Sequence, residues 1–419
     1  MPAEGRMYTL SEIRDISESE GFSSDFIIRE IKNGRASILR NLKRNIKPKV
    51  VGRKFKCKYN LNLGISSQSF DISLEIKKLD IAIKNGADTI MDLSVGKNCD
   101  ATRKELLSRC TVPFGTVPIY TMINDEEDIK KISKNLILET IEKQCEEGVD
   151  FMTIHAGLLK KSIKYIKKRT LGVVSRGGSL ILRYIAETGK ENPFYEYFDD
   201  IIKILKKYRV TISIGDGLRP GCIDDATDKA QLSELKIIGE LNSYCRKNGV
   251  FTMIEGPGHI PINQIEKNVK IAIKWCNDAP LYFLGPLVSD IAIGWDDVCG
   301  AIGASMAGYF GVSLLCAVGP TEHIGLPNDD DIKRECVVFN IVKHSINIAK
   351  GFKDEIERDK NLSIARKNFD WEKQFLLSID PEYAREKFCK LNKNKQEFCS
   401  MCGEEFCAMR NTKKGLFKC

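Results

Sequence analysis

The chain has 419 residues, enough for a large core and two or three domains. Its hydrophobic content of 42% and charged content of 29% are ordinary for a soluble protein. The formal net charge of +8 arises from 65 basic and 57 acidic residues spread along the length, with no basic stripe interleaved with aromatics, so no nucleic-acid partner is expected.

Residues 1–56 are polar and mixed and read as a small lead-in domain, in which Ser24 and Asp25 would cap a short helix ending at Asn33-Gly34. From Cys57 onward short apolar strands ending in polar or glycine residues alternate with amphipathic helices. The strand candidates are Cys57–Leu63, Thr89–Leu93, Thr116–Tyr120, Phe151–His155, Gly172–Ser175, Val210–Ile214, Phe251–Glu255, Leu281–Leu284 and Leu314–Val318. Ile72, Ile76, Leu79 and Ile83 share one helical face; Ile129, Ile132 and Leu136 share another, on a helix closed by Gly148. Repeated βα units predict a parallel sheet with helices outside it. Eight strands would close a (β/α)8 barrel, which leaves one candidate of the nine surplus. A doubly wound open sheet competes, although no G-x-G-x-x-G follows the first strand. The barrel segment spans residues 57–350, and residues 351–419 form a charged helical tail with its boundary at Lys350-Gly351.

The stretch Val298 to Gly319 carries no charge and is long enough for a membrane span. Its Gly, Ala and Ser content predicts instead a buried helix followed by a buried strand, so no membrane partner is expected. The 15 cysteines are mostly scattered singly, and no secretory signal is read at the start. Free thiols in a reducing cytoplasm are the expectation.

Chemistry concentrates at the strand ends and in the tail. Asn62, Met91 with Asp92, Tyr120, His155, the turn Ser175-Arg176-Gly177-Gly178, the run Asp216-Gly217-Leu218-Arg219, Glu255, His259, Tyr282 and Glu322-His323 all fall at or near such ends. Three of the four histidines are among them, and His259 with His323 would suit a divalent metal. The Ser-Arg-Gly-Gly turn suits a phosphate, with Arg219 as a second cation. Asp216 and Glu255 could accept from ring N–H, amino or sugar hydroxyl groups. Near the end, Cys399, Cys402 and Cys407 are spaced C-x2-C-x4-C. Three thiolates would leave one iron of a cluster open for chemistry. A structural zinc knuckle completed by Cys389 or Cys419 is the alternative.

Several ordered segments resemble the phosphomethylpyrimidine synthase family, the radical S-adenosylmethionine enzymes of thiamine biosynthesis. They are Met91-Asp92-Leu93-Ser94, Gly115-Thr116-Val117-Pro118-Ile119-Tyr120, Val174-Ser175-Arg176-Gly177-Gly178, the run from Glu191 to Asp199, Glu255-Gly256-Pro257-Gly258-His259, Leu284-Gly285-Pro286-Leu287, Glu322-His323 and the cysteine motif. The resemblance runs from Gly34 to Arg410. It implies a (β/α)8 barrel and a [4Fe-4S] cluster on Cys399, Cys402 and Cys407. Reductive cleavage of S-adenosylmethionine would give a 5′-deoxyadenosyl radical. That radical would act on 5-aminoimidazole ribotide to yield 4-amino-5-hydroxymethyl-2-methylpyrimidine phosphate, formate and carbon monoxide. Ribotide contacts carried over by the resemblance are Asn62, Met91, Tyr120, His155, Ser175, Arg176, Gly177, Asp216, Gly217, Leu218, Arg219, Glu255 and Tyr282. His259 and His323 match a zinc-type metal site. The resemblance further implies a homodimer, an electron donor for the cluster, and a cluster tail that is mobile or reaches the partner's barrel.

The chain departs from the family pattern at Leu39–Arg44, where Pro-Ala-Asn-x-Asn-His is usual, and at Gly294-Trp295-Asp296-Asp297, where Gly-Tyr-Asp-His is usual. The early Thr-Gln-Met opening is also missing. These departures keep open a sister activity, the conversion of the same ribotide to 5-hydroxybenzimidazole. A non-catalytic iron–sulfur or zinc protein is the third reading; it needs the tail cysteines but not the polar strand ends.

Overall fold

The computed structural model describes residues 7–66, 71–96, 98–126, 128–392 and 398–416. The chain divides into two compact units, Met1–Ile346 and Asn347–Cys419, so that the N-terminal residues and the barrel belong to one unit.

The first unit opens with helices Leu10–Glu20 and Ser24–Lys32. Thr9 and Glu12 form a capping box: the Glu12 N–H donates to Thr9 Oγ1 at 3.2 Å, and the Thr9 N–H donates to Glu12 Oε2 at 2.8 Å. The second helix is capped by Ser23, one residue earlier than expected, because its hydroxyl accepts from the Phe26 N–H. Strands β1 (Ser37–Leu39) and β2 (Lys49–Val51) pair antiparallel. Ile13, Ile16, Ile27, Ile31 and Phe55 bury against them in a small separate core.

Eight parallel strands then close a barrel: β3 (Lys58–Leu63), β4 (Thr89–Asp92), β5 (Phe114–Thr116), β6 (Phe151–Ile154), β7 (Thr211–Ile214), β8 (Thr252–Gly256), β9 (Leu281–Leu284) and β10 (Leu314–Cys316). The ring shuts where β10 pairs β3, Leu314 opposite Lys58 and Cys316 opposite Asn60. Both faces of each strand are covered, which is why they read as nearly continuous apolar runs. This is the (β/α)8 architecture, and it settles the surplus candidate. Gly172–Ser175 is not a strand: β6 pairs β7 directly, Phe151 opposite Thr211, which leaves no edge for it.

Three other expectations are corrected. The third barrel strand ends at Thr116, and Tyr120 lies on the helix Pro118–Glu126. Pro118 has no N–H for a ladder and a φ suited to a helix start. Ile129 and Ile132 precede the helix Lys134–Glu147, whose start is set by the Ser133 cap; Gly148 does close it, with φ 107°. On the helix Ile72–Lys84 the buried side chains are Glu75, Lys78, Leu79 and Ala82, so the inner face is rotated from the isoleucine stripe. Glu75 is held inside by Lys78 at 2.7 Å and by the Gly64 N–H at 2.8 Å.

The uncharged stretch after Val298 belongs to the helix Asp296–Phe310 and to β10. Its small residues let backbones approach: a Cβ on Gly303 would lie 2.0 Å from the Pro286 carbonyl oxygen. Among the described residues no helix is long and apolar enough to cross a membrane.

The variant segment Leu39–Arg44 belongs to the N-terminal end of the barrel. The Asn41 N–H donates to Asp150 Oδ1 at 2.7 Å, and its side-chain amide donates to the Cys145 and Val149 carbonyls at 2.7 and 2.8 Å. Asp150 also accepts the Phe114 N–H at 2.8 Å, so one carboxylate ties the segment to the starts of β5 and β6. Arg44 donates to the Leu107 and Cys110 carbonyls, both at 2.6 Å. Polar partners at the N-terminal face of a barrel serve stability rather than catalysis.

The second unit is helical where described, with helices Lys353–Lys367, Trp371–Leu377 and Pro381–Leu391, then the single turn Gly403–Phe406 and the helix Ala408–Leu416. Trp371 and Phe375 pack on Phe388, with ring centroids 4.3 and 5.5 Å from it.

Candidate active site

The C-terminal ends of the barrel strands surround a cavity of about 240 Å³. Nine of the expected contacts line it: Asn62, Met91, Tyr120, His155, Arg176, Asp216, Arg219, Glu255 and Tyr282. Tyr120 arrives from the helix after β5 and Arg176 from the first turn of the helix Arg176–Thr188; the others come from strands or strand ends.

Most of the polar side chains among these are held by neighbours in the barrel. Asn62 takes a hydrogen bond from the Asn60 amide at 2.9 Å and donates to Cys316 Sγ at 3.1 Å, while Thr89 fixes Asn60 at 2.9 Å. Thr153 and Ser213, neighbours across β6 and β7, both donate to Glu255 Oε1, at 2.7 and 2.8 Å. Arg219 donates to Asp216 Oδ1 at 3.0 Å. Arg176 is exposed at the mouth, bound to the Leu93 carbonyl at 3.0 Å, with its guanidinium 5.2 Å from the Tyr120 ring centre. Two cations, Arg176 and Arg219, and three carboxyls, Asp216, Glu255 and Glu322, thus face one small space, and desolvation there raises the Glu322 carboxyl above its ordinary range.

His155 is buried beside Gly177 and Gly215. Burial pushes its pKa down to about 4, against a smaller upward pull from Glu255, so the ring is neutral near pH 7. Ser175 Oγ lies 3.1 Å from His155 Nε2 and also accepts the Gly178 N–H at 3.1 Å as a helix cap. The Ser175 hydroxyl, which accepts from Gly178, donates to or accepts from His155 Nε2 according to the ring tautomer. Asn192, from the Glu191–Asp199 motif, donates to the His155 and Leu158 carbonyls at 2.8 and 2.9 Å and so fixes the loop after β6. Burial raises the carboxyl of Asp216 well above its ordinary range, although Arg219 pulls the other way. The phenol of Tyr282 is raised by burial as well.

Four expected contacts do not line the cavity. Ser175 and Gly177 stand behind His155. Gly217 packs on Gly178, where a Cβ would lie 2.3 Å from the Gly217 carbonyl oxygen. Leu218 is buried away from the cavity; its N–H donates to Glu234 Oε2 and its carbonyl accepts from Arg169, both at 2.6 Å. Sequence reasoning passed over Thr153 and Cys316 as lining residues. Thr153 was findable, since it lies two residues before His155 and so on the same strand face.

His259 and His323 come together, with ring centroids 5.2 Å apart. Each has a carboxylate on Nδ1, Asp290 at 2.8 Å and Asp296 at 3.0 Å, which leaves Nε2 for a metal. Carboxylates in this position orient metal-binding imidazoles. Neither carboxylate was among the expected residues, because each pairing spans a helix and a barrel strand. Burial holds the His259 pKa below its ordinary value, which favours the neutral, ligating form. The variant Gly294–Asp297 segment therefore touches this pair: Asp296 supports His323, and buried Asp297 binds Arg334 at 2.6 Å, whose guanidinium stacks 5.0 Å from the exposed Trp295 ring centre.

Cys399, Cys402 and Cys407 belong to the second unit. Cys402 and Cys407 bracket the turn Gly403–Phe406, and all three are free thiols. The donor set suits an iron–sulfur cluster in number and softness. Among the described residues no three His, Cys, Asp or Glu side chains are gathered as a metal site, in the tail or at the histidine pair. Cys389 is exposed on the helix Pro381–Leu391, and Cys419 lies outside the described residues.

Comparison with known families matches residues 3–414 to the radical SAM ThiC family. Among solved structures the chain is similar to a dihydropteroate synthase from Yersinia pestis, with 10% identity, a TM-score of 0.40, and coverage of 73% of this chain and 97% of that one.

Proposed function

The chain belongs to the radical SAM ThiC family, whose members make the pyrimidine of thiamine with S-adenosylmethionine and an iron–sulfur cluster, and from that premise we propose that its substrate is 5-aminoimidazole ribotide and its product 4-amino-5-hydroxymethyl-2-methylpyrimidine phosphate, released with formate and carbon monoxide. The observation that carries this reading is the single cavity lined by nine of the residues the family resemblance assigns to the ribotide.

Cys399, Cys402 and Cys407 would hold a [4Fe-4S] cluster, which with S-adenosylmethionine supplies, when bound, the carbon radical that starts the rearrangement. The protein's own residues do the rest by placement. Arg176, at the mouth and preorganised by Leu93 and Tyr120, grips the phosphate with its planar fork. Glu255, aligned by Thr153 and Ser213, accepts from the amino or ring N–H groups. Asp216 and Arg219 form a charge-balanced pair at the same wall. Neutral His155, held by Ser175, offers the ligand a hydrogen-bonding ring without adding charge. A radical enzyme selects its product by how it holds each intermediate, so this many fixed contacts favour one outcome. His259 and His323, each oriented by its carboxylate, would bind zinc or another divalent ion. The protein would work as a homodimer in the cytoplasm with an electron donor for the cluster, as the family resemblance implies.

The test is anaerobic reconstitution of wild type and Cys402→Ala. Wild type should take up about four irons per chain and, with reductant and 5-aminoimidazole ribotide present, release 5′-deoxyadenosine from S-adenosylmethionine. The variant should do neither. Full activity in Cys402→Ala, or zinc in place of iron and sulfide in active protein, rejects the assignment.

A further inference from the structure

Asp216, Arg219 and Glu255 border two spaces. One is the large cavity; the other is a separate cavity of about 20 Å³. The helix Lys229–Lys247 supplies the other wall of the small one through Gln231, Glu234, Leu235 and Ile238. Its volume fits one water molecule. Glu234 is 2% exposed, and its Oε2 accepts the Leu218 N–H at 2.6 Å. Among the described residues, Glu234 Oε1 and Asp216 Oδ2 are buried without a hydrogen-bond partner. The Gln231 amide is already committed to Asn268 at 2.8 Å. Two orphaned carboxyl oxygens on residues that share the lining of a water-sized space are costly unless a proton and a bridging molecule join them.

The charged groups acting on Glu234 are Arg169 and Arg219, which favour its carboxylate, and Glu255 and Asp216, which oppose it. Burial outweighs the cations and pushes the Glu234 carboxyl up to about 8. Asp216, Glu234 and Glu255 share one nearby guanidinium, Arg219, at the small cavity, so a proton is retained between Glu234 and Asp216 near neutrality.

We propose that Glu234 is a proton store for the substrate cavity, exchanging a proton with Asp216 across one water in the small cavity. The exchange is proton transfer alone. The Glu234 O–H bond breaks as the water accepts its proton, and the water gives one of its own protons to Asp216 Oδ2. No electrons are transferred and the total charge is conserved. Asp216 can then be recharged while the ligand closes the large cavity to solvent. This rests on the reading of Asp216 as a ligand-facing group.

Infrared spectroscopy of the full-length protein tests it first without any ligand. With carbon-13 in the glutamate carboxyls, wild type should show, beside the contribution of buried Glu335, a protonated-glutamic-acid band at neutral pH that disappears with a midpoint near pH 8. Glu234→Gln should lack the band, and in folded Asp216→Asn the midpoint should move to lower pH, since a neighbouring negative charge is gone. No such band in folded wild type overturns the proposal, and so does a midpoint indifferent to Asp216→Asn. Binding of 5-aminoimidazole ribotide should then perturb the wild-type band. If the ribotide binds by calorimetry and leaves the band unchanged, the exchange is refuted. If it does not bind, the substrate assignment fails and the ligand-free titrations still decide the store. In turnover, Glu234→Gln should lose kcat on the order of 100-fold with little change in KM. The fall in kcat as pH rises past about 8 should be absent. A merely structural glutamate would leave that pH profile in place.

Discussion

Gly177→Ala adds one methyl group against the His155 ring. The new Cβ would lie 2.3 Å from Cε1, 2.4 Å from Nδ1 and 2.9 Å from Nε2. Carbon contacts settle near about 3.5–4 Å, so the ring must retreat by roughly 1 Å or more. Retreat is blocked because Gly215 also packs on the ring, close enough that a Cβ there would lie 2.9 Å from Cδ2. Moving the ring also breaks the 3.1 Å contact between Ser175 Oγ and Nε2. Overpacking of this kind costs about 1–3 kcal/mol, and the lost hydrogen bond adds about 1 kcal/mol. Misplacing by about 1 Å a ring that lines the cavity, and that we propose meets the ribotide, should lower turnover on the order of 100-fold. Chemical denaturation of the full chain reads the first effect and anaerobic turnover of the ribotide the second. Gly325→Ala is the control, since nothing lies within 4 Å of its Cβ position; it should stay within about 0.5 kcal/mol of wild type. A Gly177→Ala protein with wild-type stability and turnover would refute the claim that His155 is wedged in place.

Asn41→Ala removes two side-chain hydrogen bonds to the Cys145 and Val149 carbonyls and one accepted from the Lys43 N–H. Stability should fall by about 2–4 kcal/mol with ribotide affinity unchanged. A changed affinity at unchanged stability would give this segment the active-site role denied to it here. The folded-state pKa of His155 is lowered to about 4, while an unfolded histidine titrates near about 6.5. Between those values the unfolded chain binds a proton that the native protein refuses, so stability falls as pH drops from about 6.5 to about 4. Urea midpoints against pH should show that limb in wild type and lose it in His155→Gln. Replacing His259 or His323 by alanine should remove one divalent ion per chain while the iron content of the cluster stays. Metal analysis that finds the same non-cluster ion in both variants would show that they are not ligands.

The barrel was legible because its strands are short, buried on both faces and separated by helices; seven of the nine candidates overlie barrel strands, and Thr116–Tyr120 meets β5 only at Thr116. Gly172–Ser175 misled because a helix entry with two valines has the same local pattern as a short strand. Tyr120 was found by its motif and placed on the wrong element, since Pro118 was read as continuing the strand. The carboxylates Asp290 and Asp296 stayed hidden, as did the shelf of Thr153 and Ser213 under Glu255. Their roles depend on partners 31, 27, 102 and 42 residues away, and no local period records such pairings. Glu234 was invisible for the same reason: on its helix it reads as one more polar residue. The two variant segments, alike in sequence as departures from the family, separate in space. Leu39–Arg44 supports the N-terminal ends of β5 and β6, whereas Asp296 and Asp297 stand beside the histidine pair.

The most direct test of the substrate and product is chemical analysis of an anaerobic reaction containing reconstituted full-length protein, reductant, S-adenosylmethionine and 5-aminoimidazole ribotide. The cavity and its fixed contacts predict 4-amino-5-hydroxymethyl-2-methylpyrimidine phosphate together with 5′-deoxyadenosine. 5-Hydroxybenzimidazole in place of the pyrimidine, or 5′-deoxyadenosine that does not depend on the ribotide, would contradict the account.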